Sequence, residues 1–547
     1  MDRAQIFALI AGAVVITAIC RRRGWPAPLV LVAAGLVVSY IPGVPEYDID
    51  PQLILEFVLP PLLFSAARSA SYQDMRRSLN SIVRLGVGLV LASALAVALV
   101  AWALVPELPF AAALVLGAVV APPDAVAAAA VGRKLGLPRR VMTVISGESL
   151  INDATSLTLY KVALAGAASG AWAWSEGLTT FALAVLVGVS SGLVIGWVVH
   201  RLRLRFDDPV VSSTIALLTP FACYWGAEHL TGSGVLAVVS AGLYLGHTAP
   251  SAGYATRLVQ DPIWETLDLL LESFTFALIG VQLPWLIADV RASHEGLTTA
   301  VILAAAVLGT SIVVRPLYVF ATAWFDRLRL PGSHRDLSDA LSARESAVVS
   351  WAGMRGVVTL AAAAGIPAMA GSAEFPDRAT LQLVAYAVAI GTLLVQGLSL
   401  PWLIRRLGVR SDDDDLRDRA QEARLRMATA RAAQEVIEQR RRQWAPTLGE
   451  KRAGLLTKGL AEGIARRERA TVVMLDPSIA SDDDLAKVST SRTRAMQDLR
   501  RDVVAAQRAT LMAERDAGHV DEVVMRQVLR ELDLEDESLD AAPINRI

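Results

Sequence analysis

The sequence predicts an all-α polytopic membrane protein followed by a water-soluble helical tail, and three observations carry that reading. The chain is 54% hydrophobic and only 19% charged, with a mean hydropathy of +0.45, whereas ordinary soluble proteins carry roughly a quarter charged residues. Its charges are segregated: residues 1–410 hold 28 Lys/Arg and 26 Asp/Glu, while residues 411–547 hold 24 and 27. Apolar runs of membrane-crossing length recur throughout the first part. The chain therefore divides into a transmembrane domain, 1–410, and a cytoplasmic charged helical domain, 411–547. One uniform soluble domain, a nucleic-acid binder with a basic face and a disordered chain are all excluded.

A helix needs about 20 apolar residues to cross a bilayer. Breaking the apolar runs at charged or Gly/Pro-rich joints gives thirteen candidates, near 4–20, 27–43, 53–67, 82–105, 110–131, 141–164, 178–200, 210–229, 233–248, 263–286, 299–323, 343–368 and 381–404. The first ends in Arg21, Arg22 and Arg23 without a small-residue cleavage pattern, and a signal peptide carries its positive charge before the apolar run, so it reads as a retained helix. The joints after odd-numbered spans hold 22 basic residues, against Arg3, Arg291 and Arg378 on the other side. Positive charge marks the cytoplasmic side, so the N-terminus is expected outside and the tail in the cytoplasm.

The fifth span reads LVLGAVVAPPDAVAAAAV, with Pro122 and Pro123 at its centre, just before Asp124. Each proline lacks an N–H and obstructs the preceding turn, so the helix is expected to break there. In lipid, freed carbonyls persist only where protein or a watery cavity covers them. The sixth span begins SGESLINDATSLTLY, which on a helix puts Glu148 with Asn152, and Ser149 with Asp153, on adjoining parts of one face. Such an oxygen-rich face suits a hard cation. Burial favours the neutral form of a carboxyl group and a bound cation favours the ionised form, so proton and cation compete for one group. In the seventh span Gly188, Gly192 and Gly196 form a close-packing stripe. The twelfth contains SWAGMRGVVTLAAAAGIP, where Gly353, Gly356, Gly365 and Pro367 suggest a second interruption. Two interrupted spans in corresponding halves point to inverted repeats around a transport site.

A charge at mid-bilayer costs about 2.5–3.5 kcal/mol on insertion scales, so a charge retained there is a functional candidate. The acids are Asp124, Glu148 and Asp153, with Glu56, Glu228 and Glu272 nearer span ends. The basic residues outside the loops are Lys161, Arg315 and Arg355. Arg315 is the expected partner of Glu148, which leaves Asp153 exchangeable. Arg355 either balances a carboxylate or snorkels to the surface, and Lys161 is expected to snorkel. Cys20 and Cys223 offer no metal or disulfide spacing, and no Walker or dinucleotide-binding pattern occurs, so no organic cofactor and no ATP drive are expected. A membrane-bound enzyme using Glu148 and Asp153 would need a nucleophile or metal cluster that the spans do not offer. The tail, from Asp412–Asp415 onward, has mixed charge with apolar stripes, consistent with a helical hairpin or bundle.

At these residues the chain resembles the monovalent cation/proton antiporter superfamily, in its bacterial NhaP-like and animal NHE-like branch. The resemblance rests on LPPLLFSAARS at 59–69, APPDAVAAAAV at 121–131, GESLINDATSLTLY at 147–160, IGVQLP at 279–284 and WAGMRGVVTLAAA at 351–363. It implies a thirteen-helix NhaA/NhaP-like fold with two broken crossing helices, a dimerisation part that makes a homodimer, and a transport part that moves like an elevator. It further implies that Asp153 binds cation or proton, with Asn152, Ser149, Asp124 and Glu148 around it, Asp153 and Ser149 contacting a monovalent cation. Arg315 and Arg355 would balance charge, and Pro122, Pro123, Gly353 and Gly356 would make the breaks. The Asn-Asp pair implies electroneutral exchange of Na+, or of K+ or Li+, for H+ across the plasma (inner) membrane. The alternative is a potassium-efflux K+/H+ antiporter or a channel-like cation transporter. Two departures stand out: the crossing helix lacks the family's threonine before Asp124, and Ser65 stands where many archaeal relatives carry an acid.

Overall fold

The computed structural model describes residues 3–41, 54–169, 174–206, 208–251, 253–292, 296–328, 341–370, 373–410, 412–458 and 490–540. They form two compact units, Met1–Ala252 with Val259–Ser411, and Gly253–Leu258 with Asp412–Ile547.

In the first unit the helices run in chain order α1 (Arg3–Arg23), α2 (Ala27–Ser39), α3 (Leu59–Ser69), α4 (Tyr72–Arg77), α5 (Leu79–Val83), α6 (Val90–Leu104), α7 (Phe110–Val120), α8 (Ala125–Leu135) and α9 (Arg139–Ser169). They continue as α10 (Trp174–Arg203), α11 (Pro209–His229), α12 (Gly234–Thr248), α13 (Tyr254–Ala292, whose first turn groups with the second unit), α14 (Gly296–Leu328), α15 (Ala343–Trp351) and α16 (Val357–Ala364). After a two-residue antiparallel pairing, β1 (Met369–Ala370) with β2 (Ala373–Glu374), come α17 (Arg378–Thr392) and α18 (Leu398–Leu407).

Among the described residues the expected segments overlap helices, several of them short: α2 has 13 residues and α7 has 11. Among the described residues, seven stretches are long and apolar enough to cross a bilayer: Gln5–Arg23, Leu79–Leu104, Thr179–Arg203, Pro209–His229, Ala255–Ala292, Gly296–Trp324 and Arg378–Leu407. Helix α9 has the length, but Glu148, Asn152, Asp153 and their hydroxyl neighbours dilute its hydropathy. The fifth and twelfth expected spans are each two short helices joined by non-helical backbone, α7–α8 through residues 121–124 and α15–α16 through residues 352–356. The sequence offered no signal for the π-helical turns at Ile54–Val58, Arg84–Leu89 and Leu393–Gly397.

Glycines bring the helices close. A Cβ on Gly188 would meet the Ser233 carbonyl, and one on Gly192 would overlap Ala237, so the expected small-residue stripe seats α10 against α12. Elsewhere on α10, Leu183, Leu186, Val194 and Trp197 are at least half exposed, an apolar surface suited to lipid. Gly35 of α2 and Gly280 of α13 let those backbones touch in the same way.

The second unit contains α19 (Asp412–Leu448), α20 (Thr490–Asp516) and α21 (Glu522–Asp540). Leu425, Val504, Leu511, Met525 and Leu529 form its main core, with a smaller one at Ala433, Ile437, Leu499 and Val503. Buried Asp533 accepts from Arg257 Nε at 2.9 Å and from Arg508 at 3.1 Å within this unit.

Candidate functional site

Both broken spans meet at their breaks. The backbone N–H of Asp124 donates to the Met354 carbonyl at 2.6 Å, so each interruption satisfies a group that the other leaves bare. Pro122 and Pro123 are buried, and Asp124 is half-buried at the end of the extended stretch. A Cβ on Gly356 would overlap the Asp124 carboxylate, which is why the second break needs a glycine beside the first.

Other freed carbonyls are met by side chains. Asn152 Nδ2 donates to the Pro123 carbonyl at 3.0 Å, and Ser156 Oγ to that of Ala118 at 2.7 Å, fastening α9 to the break in α7–α8. Arg355 is 2% exposed and donates Nε to the Val120 carbonyl at 3.0 Å and Nη1 to that of Gly353. This corrects the snorkelling expectation for Arg355. It neither snorkels nor, among the described residues, touches a carboxylate, and its charge sits where two half-helices end with their negative dipole ends and unsatisfied carbonyls. Its own N–H is held by Thr392 Oγ1 at 3.0 Å. At the far end of α16, Tyr160 donates to the Gly365 carbonyl at 2.7 Å and Gln382 to that of Ala363 at 3.1 Å.

Glu148 and Arg315 form the expected pair, with side chains 1% and 3% exposed. Arg315 Nη2 lies 2.8 Å from Glu148 Oε2, and Nη1 donates to the second oxygen, a two-pronged geometry. Arg315 Nε donates to the Val349 carbonyl at 3.0 Å, and a Cβ on Gly353 would run into the guanidinium stem. Glu148 is thus fully engaged.

Asp153 differs. It is 6% exposed and forms no hydrogen bond or ion pair with any described residue, with Asp124 as the acting charge beside it. The neighbouring Asn152 is 0% exposed, and its Oδ1 has no partner among the described residues. Ser149 stands one turn before Asp153 on the unbroken α9 and is half-buried. The carboxylates of Asp153 and Asp124, together with the Asn152 amide oxygen, make a set of hard oxygens on α9 and the broken α7–α8.

Two polar features escaped the sequence reading. Lys161 does not end in solvent alone; it pairs with Glu228, which also accepts from the Gly234 N–H at 2.9 Å. Ser65 Oγ donates to Asp268 Oδ2 at 2.6 Å, so the position expected to lack an acid has one supplied by α13. The available signal was the pair Asp268 and Glu272, one helical turn apart in an apolar run.

The sequence matches the model of the transmembrane sodium/hydrogen exchanger family over residues 7–406. It is 35% identical over 548 residues to an uncharacterized Na+/H+ exchanger of Mycobacterium tuberculosis (strain H37Rv), covering 98% of this chain and 95% of that one. It is also 27% identical to a sodium, potassium, lithium and rubidium/H+ antiporter of Bacillus pumilus, over 69% of this chain and 57% of the relative. Among solved structures, the sodium/proton antiporter MjNhaP1 of Methanocaldococcus jannaschii superposes with a TM-score of 0.59 at 19% identity, covering 74% of this chain and 99% of that one, a likeness of fold. With a helical membrane fold, crossed breaks and an oxygen-rich buried site, the chain belongs to the sodium/hydrogen exchanger family and is a multi-pass monovalent cation/proton antiporter, a transporter and not an enzyme.

Proposed function

We propose that the protein exchanges Na+ for H+ with one-to-one, electroneutral stoichiometry, using Asp153 as the group that binds either ion. The observation that carries this reading is a buried carboxylate left without a hydrogen-bonding partner beside crossed helix breaks, while its neighbour Glu148 is fully paired. With one exchangeable acid, each crossing carries either one cation or one proton, so a full cycle moves one of each in opposite directions and no net charge. Asp124, Asn152 and Ser149 supply further oxygens to the cation in this reading. Arg315 occupies both Glu148 oxygens and so keeps that carboxyl out of the exchange, and Arg355 holds the two breaks together. The name of the Bacillus relative supports a wider substrate range in which K+ and Li+ also use the site.

Access alternates as the unit carrying the breaks moves past a fixed dimerisation part, like an elevator, within a homodimer in the plasma (inner) membrane. Thirteen crossings, arranged as inverted repeats, put the N-terminus outside and the domain 411–547 in the cytoplasm. Support for that orientation comes from the 22 basic residues on one set of joints against three on the other.

Proteoliposomes with a pH-sensitive dye test the core of the reading. Addition of Na+ is expected to collapse an imposed proton gradient with wild-type protein and to leave it standing with Asp153→Asn. Undiminished Na+-dependent proton flux in that variant would sink the assignment. A transport current that scales with turnover would count against electroneutrality.

A further inference from the structure

Helix α13 carries Asp261, Glu265, Asp268 and Glu272, whose spacings of four, three and four residues place them on one face. On this helix, eleven residues advance the chain about 16 Å. The stripe begins at Asp261, whose side chain is 55% exposed and which pairs with Arg68 of α3 at 2.7 Å. Two steps along, past the exposed Glu265, Asp268 Oδ2 accepts the 2.6 Å hydrogen bond from Ser65, also on α3. The other oxygen, Oδ1, is shut off from solvent and has no partner among the described residues. Glu272, a turn further, forms no hydrogen bond or ion pair with any described residue. The charges acting on Glu272 are those of Asp124 and Asp268, with Arg21 opposing them. Asp124 in turn acts on Asp153. A line of acids therefore runs inward along α13 from its exposed end, with Glu272 at its inner end within electrostatic reach of Asp124.

A carboxylate held inside a membrane protein with one oxygen unsatisfied is costly unless it has a cationic or protonic partner for part of its working cycle. We propose that Asp268, oriented by Ser65, is a second station for the transported monovalent cation between the exposed end of the stripe and the Asp153 site, with Glu272 bridging the two. The inference rests on the Asp153 reading and adds a residue to its substrate path. A hard cation takes the unsatisfied Oδ1 as one of its oxygen ligands while the Ser65 hydroxyl holds Oδ2 in place. Arg68, whose guanidinium pairs with Asp261, makes no ion pair with Asp268 among the described residues.

The competing explanation is that Ser65 and Asp268 merely join two helices, and the amide isostere separates the two. Asp268→Asn keeps a carbonyl oxygen for Ser65 and removes the charge. In proteoliposomes at fixed pH, it is expected to raise the Na+ concentration for half-maximal exchange about tenfold with a smaller effect on maximal rate. Ser65→Ala, which keeps the charge and loses one hydrogen bond, is expected to raise it about threefold. The double exchange Ser65→Asp with Asp268→Ser restores a carboxylate across the same gap and is expected to return the value close to wild type. An unchanged half-maximal concentration in Asp268→Asn, with Asp153→Asn inactive, would overturn the station and leave the Asp153 reading intact. Normal transport by Asp153→Asn would overturn both. If Asp268→Asn does not fold, the double exchange decides: recovery of wild-type affinity supports the station, and a folded double variant with weak affinity overturns it.

Discussion

At the scale of single residues, the site separates carboxylates that are settled from those that are not. Glu148 has a two-pronged partner in Arg315, and both are buried. Removing one member of a buried pair strands a charge and costs about 3–5 kcal/mol. Glu148→Ala is therefore expected to lower the thermal transition of the detergent-purified protein, by more than the change for Asp153→Asn, whose wild-type side chain gives up no described partner. Scanning fluorimetry of the two variants checks this; equal transitions would mean that the pair contributes no special stability. Gly356 makes a sharper point, because a single added carbon overlaps Asp124. Gly356→Ala is expected to cut the exchange rate by about tenfold or more, a barrier change of about 1.4 kcal/mol, while fluorimetry shows a folded protein. The pairing of Glu148 with Arg315 was legible because only two arginines lie deep in apolar runs. Asp268 was not, because nothing in one sequence says that positions 65 and 268, 203 residues apart, share a hydrogen bond. For the same reason the true partners of Arg355, two backbone carbonyls, leave no trace in residue type.

At the scale of elements, local chemistry foretold the breaks and missed the winding changes. Two consecutive prolines before an aspartate end α7 for a reason that any sequence shows, and glycines at 353 and 356 do the same for α15. The π turns at Ile54–Val58, Arg84–Leu89 and Leu393–Gly397 carry no such mark. The stripe on α10 was visible as spacing, although its partner helix α12 was not. Its tightness has a measurable price: Gly192→Leu drives a branched side chain into the Ala237 backbone and is expected to destabilise the protein by about 1–3 kcal/mol. A lowered thermal transition with little change in half-maximal Na+ is the expected pattern, since α10 contributes no oxygen to the site. A variant as stable as wild type would show that α10 and α12 can separate without loss.

At the scale of the whole molecule, the segregation of charge between residues 1–410 and 411–547 has a counterpart in two compact units, although the short piece Gly253–Leu258 groups with the second. No composition argument would have assigned the first turn of α13 to the tail; the buried carboxylate of Asp533, which takes Arg257, accounts for it. Orientation is testable with little background, because both native thiols, Cys20 and Cys223, are buried. In right-side-out vesicles an impermeant maleimide is expected to label Arg291→Cys directly, and Arg133→Cys only after the membrane is opened. The opposite pattern would invert the topology. The hydrogen bond between Asp124 and Met354 also sets a clock. Those residues are 230 positions apart, and chains grow at roughly 5–20 residues per second, so the first break waits roughly 10–50 s for the second to be made. Throughout that interval the bare backbone at residues 121–124 lacks its Met354 acceptor and must be sheltered by the insertion machinery or by water. The ribosome's pace is thus part of the conditions under which this fold can be assembled.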